Sequence, residues 1–299
     1  MSVSTTGETK GVSRRAVVLF TALALLAFAG NSLLCRAALA PGPAGPAMDP
    51  VGFTAVRLIS GALFLLPVFL RRDSTRQRTP STSARRWQAP VVLLLYAVPF
   101  SLSYVSIPAG AGALILFGCV QLTLLLAARL AGESIAPRRW LGAALAFGGL
   151  IVLLSPRAED LARIDPLGAG LMVIAGVAWG LYTLLGRGSL EPTRDTARAF
   201  AYALPGALLL GVLAEPRAAT SEGIALAIAS GALCSGLGYA IWYRALADHS
   251  SFSAAVSQLL VPLIAAVLGA LLLEETLDAQ LALSAALILG GIFIGLRGR

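Results

Sequence analysis

The sequence predicts an all-α integral membrane protein, with ten transmembrane helices forming two inverted five-helix repeats. Three observations lead there: a shortage of charge, a succession of long apolar segments, and a phrase that occurs twice. Hydrophobic residues make up 57% of the 299-residue chain and charged residues only 13%, with a mean hydropathy of +0.82. A water-facing globular domain carries about 25% charged residues. The deficit is too large for a wet surface, so most of the surface faces lipid.

The apolar segments run over 16–35, 51–70, 89–107, 109–130, 140–155, 166–186, 196–214, 223–245, 252–273 and 279–296. As helices rising 1.5 Å per residue, such lengths cross or nearly cross a hydrocarbon core about 30 Å thick. Barrel strands are disfavoured, because the runs are continuous and rich in Ala and Leu where strands would alternate over ~10 residues. The first segment, at 20 residues, exceeds the 7–15 residues typical of a signal-peptide core and reads as a spanning helix. A Pro/Gly-rich link, APGPAGPAMDP at 40–50, separates it from the second, and an Arg-rich loop at 71–88 separates the second from the third.

The net charge of +8 invites a nucleic-acid partner, but its distribution argues for topology. With the N-terminus inside, 18 of the 23 Lys and Arg residues fall on the cytoplasmic side. Arg36, Arg157, Arg163 and Arg217 fall outside, and Arg57 stays within a helix. That is a strong positive-inside bias. The expected location is the inner (plasma) membrane, multi-pass, with both termini cytoplasmic and residues 1–15 as a cytoplasmic tail. Cys35, Cys119 and Cys234 lie far apart in apolar segments, in neither a disulfide framework nor a metal-ligand spacing. They read as small packing residues.

SLLCRAAL at 32–39 and TLLGRGSL at 183–190 share four of eight positions at an offset of 151. LAGESIAPRRWLGAALAFGGLIVLL at 130–154 aligns without a gap on LLEETLDAQLALSAALILGGIFIGL at 272–296. That offset is 142, matching Glu133 with Glu275, Ala144 with Ala286, and Gly148–Gly149 with Gly290–Gly291. The halves are 16–155 and 165–296. Five helices per half is odd, so the second half enters the membrane from the opposite side, the construction that gives secondary transporters two mirror-related states. The pairs Ala144-x-x-x-Gly148 and Ala286-x-x-x-Gly290 are expected to pack helices five and ten together.

On these features the chain resembles the drug/metabolite transporter superfamily, in its EamA-type ten-helix branch. The resemblance is carried by AFAGNS followed by a basic residue in helix one, by AGE and LEE at the ends of helices four and nine, each before a double-glycine helix, and by Arg57 near the outer start of helix two. It implies a central cavity lined by helices one, three, four, six, eight and nine. The family often has proline in both the fourth and ninth helices; this chain has Pro262 in the ninth but Val120 at the matching place. Helix four should then be the straighter of the two, and Pro262, lacking an amide hydrogen, is a candidate hinge or a fixed bend.

Ionisable residues inside a membrane mark function, and here they are missing: no Asp, Glu, Lys or His lies near the middle of any segment, and the only histidine, His249, falls in a short connection. The glutamate with which small multidrug relatives bind cationic drugs and protons has no counterpart. Phosphate-bearing substrates would find only Arg36 and Arg57. Arg57 reads as a residue snorkelling to the outer face or as a partner for a substrate carboxylate. The candidate substrate-binding residues are Asn31, Tyr104, Gln121, Trp179, Tyr182, Tyr239, Trp242 and Gln258. Tyr239 and Trp242 share a helical face, as do Trp179 and Tyr182; Tyr182 and Trp242 read equally well as interfacial-belt aromatics. Asn31, Gln121 and Gln258 must face protein or a wet cavity.

The expected function is export of small neutral or zwitterionic metabolites by alternating access. Amino acids, aromatic ones included, lead the list, as in the YddG-type amino-acid exporter branch. Alternatives are a carrier of drugs, nucleotide-like or sugar compounds, a passive channel, and an intramembrane enzyme. The last lacks a base beside any nucleophile and ligands for a metal, so no enzyme activity is expected. No cofactor and no nucleic-acid partner is expected; the partners are a small-molecule substrate and the lipid bilayer, and the chain would act as a monomer or a homodimer.

Overall fold

Uncharged runs of Ala, Leu and Val give the backbone no partner in lipid but itself, and each run closes into a helix. The computed structural model describes residues 14–41, 45–71, 83–132, 136–154, 164–186, 189, 191–215, 219–246, 258 and 260–297. Ten helices arise among the described residues: α1 (Arg14–Leu39), α2 (Pro50–Leu70), α3 (Ser83–Ser103), α4 (Ala109–Leu130), α5 (Pro137–Leu154), α6 (Pro166–Gly186), α7 (Pro192–Leu213), α8, α9 (Leu260–Leu272) and α10 (Ala279–Arg297). Helix α8 has three parts, Ser221–Ala229, a π-helical stretch Ser230–Leu237, and Gly238–Leu246. Among the described residues six helices are long and apolar enough to cross a membrane, and α3, α9 and α10 carry shorter apolar stretches.

The helix starts follow ordinary capping chemistry. Asp49 accepts from the amides of Val51 and Gly52, with Pro50 in the first turn. Thr220 accepts from Gly223. Asp165 accepts from the Gly168 amide at 2.7 Å and the Ser106 hydroxyl at 2.8 Å, which hold its exposed carboxyl below the usual carboxylate range. Leu167, Val212 and Leu271 stand exposed on the outside, where lipid lies.

The two halves, α1–α5 and α6–α10, are inverted with respect to each other. Helices α5 and α10 hold equivalent places, yet Gly142 lies against Gly291 and Gly295 while Gly149 meets Ile288, an antiparallel register. The equivalent α2 and α7 are also antiparallel: Gly52 faces Ala214, and Gly61 faces Phe200. A second match is conformational. Gly132 (φ 81°) and Glu274 (φ 54°) occupy the same place in the repeat, and both take the left-handed turn that ends α4 and α9.

The expected α5–α10 contact forms, but through other glycines. Ala144 and Ala286 are exposed, and nothing approaches Gly148 or Gly290. A side chain at Gly142 would strike the Gly291 carbonyl, so the helices touch backbone to backbone one helical face away from the expected pairs. Prolines interrupt α2, α3 and α7 at Pro67, Pro90, Pro99 and Pro205. Pro262 lies two residues into the described part of α9, after the helical residue Gln258. Residues 251–257, which would show a bend, lie outside the described residues. Val120 is buried in an uninterrupted α4.

Candidate functional site

Call the membrane face at which α1 begins the near face and the opposite one the far face. Between them, where α1, α3, α4, α6 and α8 converge, is a cavity of about 20 Å³ lined by Phe28, Asn31, Ser32, Tyr96, Phe100, Leu116, Phe117, Trp179, Cys234 and Tyr239. That volume holds the centre of one water molecule or little more.

The cavity is built on helical spacing. Phe28, Asn31 and Ser32 fall on one face of α1, and Tyr96 and Phe100 on one face of α3. Trp179 on α6 touches three rings: Tyr96 at 4.8 Å, Tyr239 at 5.1 Å and Tyr182, stacked, at 5.4 Å between centroids. Phe28 sets its edge against Tyr239 and Trp242, each at 5.8 Å.

Asn31 is the polar hub. Its amide nitrogen donates to the Tyr96 hydroxyl at 3.1 Å, and its carbonyl oxygen accepts from the Ser230 hydroxyl at 2.6 Å. Ser230 opens the π-helical stretch of α8. The wider turn and the small residues SGALCSGLG let α8 meet its neighbours closely: Gly231 lies on the backbone of Arg57, Gly236 on Phe64 and Gly238 on Ala27. Such π-helical turns concentrate at functional sites.

Arg57 does not snorkel. Its side chain is 1% exposed, and the guanidinium lies over the rings of Phe100 at 4.8 Å and Tyr96 at 5.2 Å. Its Nε and one terminal nitrogen have no hydrogen-bond partner. The Gly61-bearing face of α2 packs on α7 and α8 and carries Arg57 inward, away from the lipid–water boundary.

At the far face the helix ends are tied together. Arg36 reaches Glu275 at 3.3 Å and the carbonyls of Tyr104 and Val105 at 2.9 Å. The Glu275 carboxylate takes the first amide of α4, Ala109, at 2.9 Å, where the helix dipole favours an anion. Gly269 leaves room for that carboxylate. Arg187 and Glu133, the repeat counterparts of Arg36 and Glu275, lie outside the described residues.

Of the candidate residues, the structure brings Asn31, Trp179 and Tyr239 to the cavity, with Tyr182 and Trp242 buried behind them toward the near face. Tyr104 is not in the wall: it is fully buried against Gly112, with its hydroxyl 3.5 Å from the Ala109 carbonyl. Gln121, half-buried, lies one turn beyond Phe117 toward the near end of α4. Gln258 is half-buried before α9. Among the described residues α9 adds nothing to the lining; it packs on α1 and α4. Sequence reasoning missed Phe28, Tyr96, Phe100 and Ser230. The i, i+4 spacing of Tyr96, Phe100 and Tyr104 was the available signal for the α3 face, and only its last member was taken.

The model of the EamA-like transporter family matches residues 15–155 and again 166–297. An uncharacterised protein of Pseudomonas aeruginosa is 48% identical over 95% of this chain and 96% of its own length. The threonine/homoserine exporter RhtA of Salmonella typhimurium is 28% identical over 89% of this chain and 88% of its own length. One crystal structure, 21% identical, superposes with a TM-score of 0.64 over 96% of this chain and 99% of the other, a likeness of fold alone.

Proposed function

Because the chain belongs to the EamA-like transporter family, we propose that it exports small neutral or zwitterionic metabolites, amino acids foremost, by alternating access across the inner membrane. The observation that carries this reading is the aromatic cavity around Asn31, which has no carboxylate in its wall. A cation-selective carrier would want an anion there, and a phosphate carrier several cations. Phe28, Trp179 and Tyr239 offer π faces to an apolar or aromatic side chain, and Asn31 offers an amide to polar backbone groups. The Salmonella relative named a threonine/homoserine exporter supports amino acids as the class.

In this reading the repeats 16–155 and 165–296 rock about the cavity, and the Arg36–Glu275 cluster holds the far side shut. The excess of Arg at the near face supports a cytoplasmic near side, with N- and C-termini inside. No carboxylate stands among the described residues of the cavity wall, which supports weak or absent coupling of flux to protons.

The test is counterflow in proteoliposomes loaded with unlabelled amino acid, with labelled phenylalanine or threonine outside, repeated with Trp179→Ala and under a pH gradient. Saturable accumulation that Trp179→Ala abolishes and the gradient leaves unchanged is the expected result. Absence of saturable flux for a panel of zwitterionic amino acids, from folded protein, removes the amino-acid reading.

A further inference from the structure

We infer that Arg57 is the group that takes the carboxylate of the transported substrate, an inference that rests on the amino-acid reading above. A guanidinium inside a membrane protein is costly unless an anion meets it. Arg57 is buried to 1% exposure, yet no described carboxylate pairs with it. Asp49, at the start of the same helix, is engaged with the amides of Val51 and Gly52, and Glu275 is held by Arg36 and Ala109. The rings of Tyr96 and Phe100 compensate part of the charge, but Nε and one terminal nitrogen remain unpartnered. Both donors belong to a planar cation suited to carboxylates, and because Nε–H and Nη1 point to different sides of it, each is open to an anionic oxygen singly.

That cation lies directly behind the cavity wall. Tyr96 and Phe100 line the cavity on one side and carry the guanidinium on the other. Tyr96 is also the residue whose hydroxyl accepts from Asn31. Moving Tyr96 aside therefore does two things at once: it opens the guanidinium to the cavity and frees the Asn31 amide. A substrate carboxylate then replaces the tyrosine at Arg57. The Asn31 carbonyl oxygen, now bound by Ser230, is placed to accept from the ammonium, and the side chain lies among Phe28, Trp179 and Tyr239. The cavity, too small for an amino acid as it stands, enlarges by that tyrosine's volume.

The experiment is equilibrium binding to the purified full-length chain, with labelled phenylalanine and labelled phenylalaninamide as separate probes. The wild type is compared with Arg57→Met and Arg57→Lys, each checked for folding by size exclusion and melting. The expected result is that wild type binds phenylalanine at least roughly tenfold more tightly than the amide. Arg57→Met then lowers phenylalanine binding to the amide's level and leaves the amide unchanged, with Arg57→Lys between. Should the Met variant fail to fold, the Lys variant is read the same way. Equal binding of both probes by wild type overturns the inference, as does full discrimination kept by a folded variant, or equal loss of both probes. Amino-acid counterflow by the wild type in those cases leaves the proposed function standing. If the wild type binds neither probe and carries no amino acid, the amino-acid reading falls first and this inference with it.

Discussion

Asn31 satisfies two hydroxyls at once, on helices from both halves of the molecule. In a medium without water a hydrogen bond has few substitutes, though measured interhelical bonds in membranes average only about 0.6 kcal/mol and reach about 1.7 kcal/mol. The Asn31–Ser230 bond is short and fully buried and belongs at the upper end. A double-mutant cycle of Asn31→Ala and Ser230→Ala, followed by thermal unfolding in detergent, is expected to give a coupling of about 1–1.7 kcal/mol. A coupling near zero would mean that the two groups find other partners. The same scale governs Trp179. Its ring meets three others, so Trp179→Ala removes a packing hub from the cavity wall. Binding and flux fall together in that variant, in the counterflow test described above.

At the scale of elements, two helix irregularities set the site. The π-helical stretch of α8 turns Ser230 and Cys234 inward and lets Gly231 rest on the Arg57 backbone. The end of α9 is the second. Glu274 holds φ at 54°, a left-handed conformation that costs a residue with a Cβ roughly 1–2 kcal/mol. That turn points the neighbouring Glu275 back across α9 to Arg36 and Ala109. The first repeat has Gly132 in the equivalent turn, where no neighbour demands a glycine for space; its role there is conformational. Replacing Glu274→Gly should relieve the strain. After subtracting the roughly 0.5–1 kcal/mol by which glycine loosens the unfolded chain, a net gain of about 0.5–1 kcal/mol is expected as a higher melting temperature. A lower one would show that the Glu274 side chain contributes more than its backbone costs.

For the whole molecule, a charged cluster ties the described far ends of α1, α4 and α9 together beyond the small cavity, and in the proposed alternating-access cycle it is the contact that holds that face shut. Opening that face must separate Arg36 from Glu275 and Glu275 from the first turn of α4. Glu275→Gln keeps the shape and the Ala109 contact but turns a charge-assisted bond into a neutral one, weakening it by about 1–1.5 kcal/mol. The population open to the far side should rise roughly five- to tenfold. Cys234 lines the cavity and reports on it: with Cys35 and Cys119 replaced by Ala, a small membrane-impermeant methanethiosulfonate should label it faster in Glu275→Gln by that factor. An unchanged rate would mean that the cluster is structural and does not control access.

Much of this was legible in the residues. Segment lengths, the absence of charge within them and the doubled stretches depend on local composition, and lipid leaves an apolar run few alternatives to a helix. The inverted relation followed from an odd number of helices per half. Asn31, Trp179 and Tyr239 were recognisable because polar or amphipathic groups in hydrocarbon need a reason. Tyr104 and Gln121 met the same criterion and stand outside the cavity wall, since residue type does not tell which face of a helix looks inward. Arg57 illustrates the limit most sharply: its position near a helix end allowed snorkelling, and only the packing of α2 against α7 and α8 turned it into the interior.

By itself, then, the sequence determined that this chain is a ten-helix membrane protein of two inverted halves, because those properties are sums over residues and are insensitive to where any one side chain points. Tertiary structure alone decided the rest: which glycines bring α5 and α10 together, that α8 widens at Ser230, that Glu275 crosses to Arg36, and that Arg57 lies unpaired behind Tyr96. Each depends on the rotation of one helix against another, and a turn of roughly 100° per residue changes a neighbour completely while leaving hydropathy and repeat pattern the same.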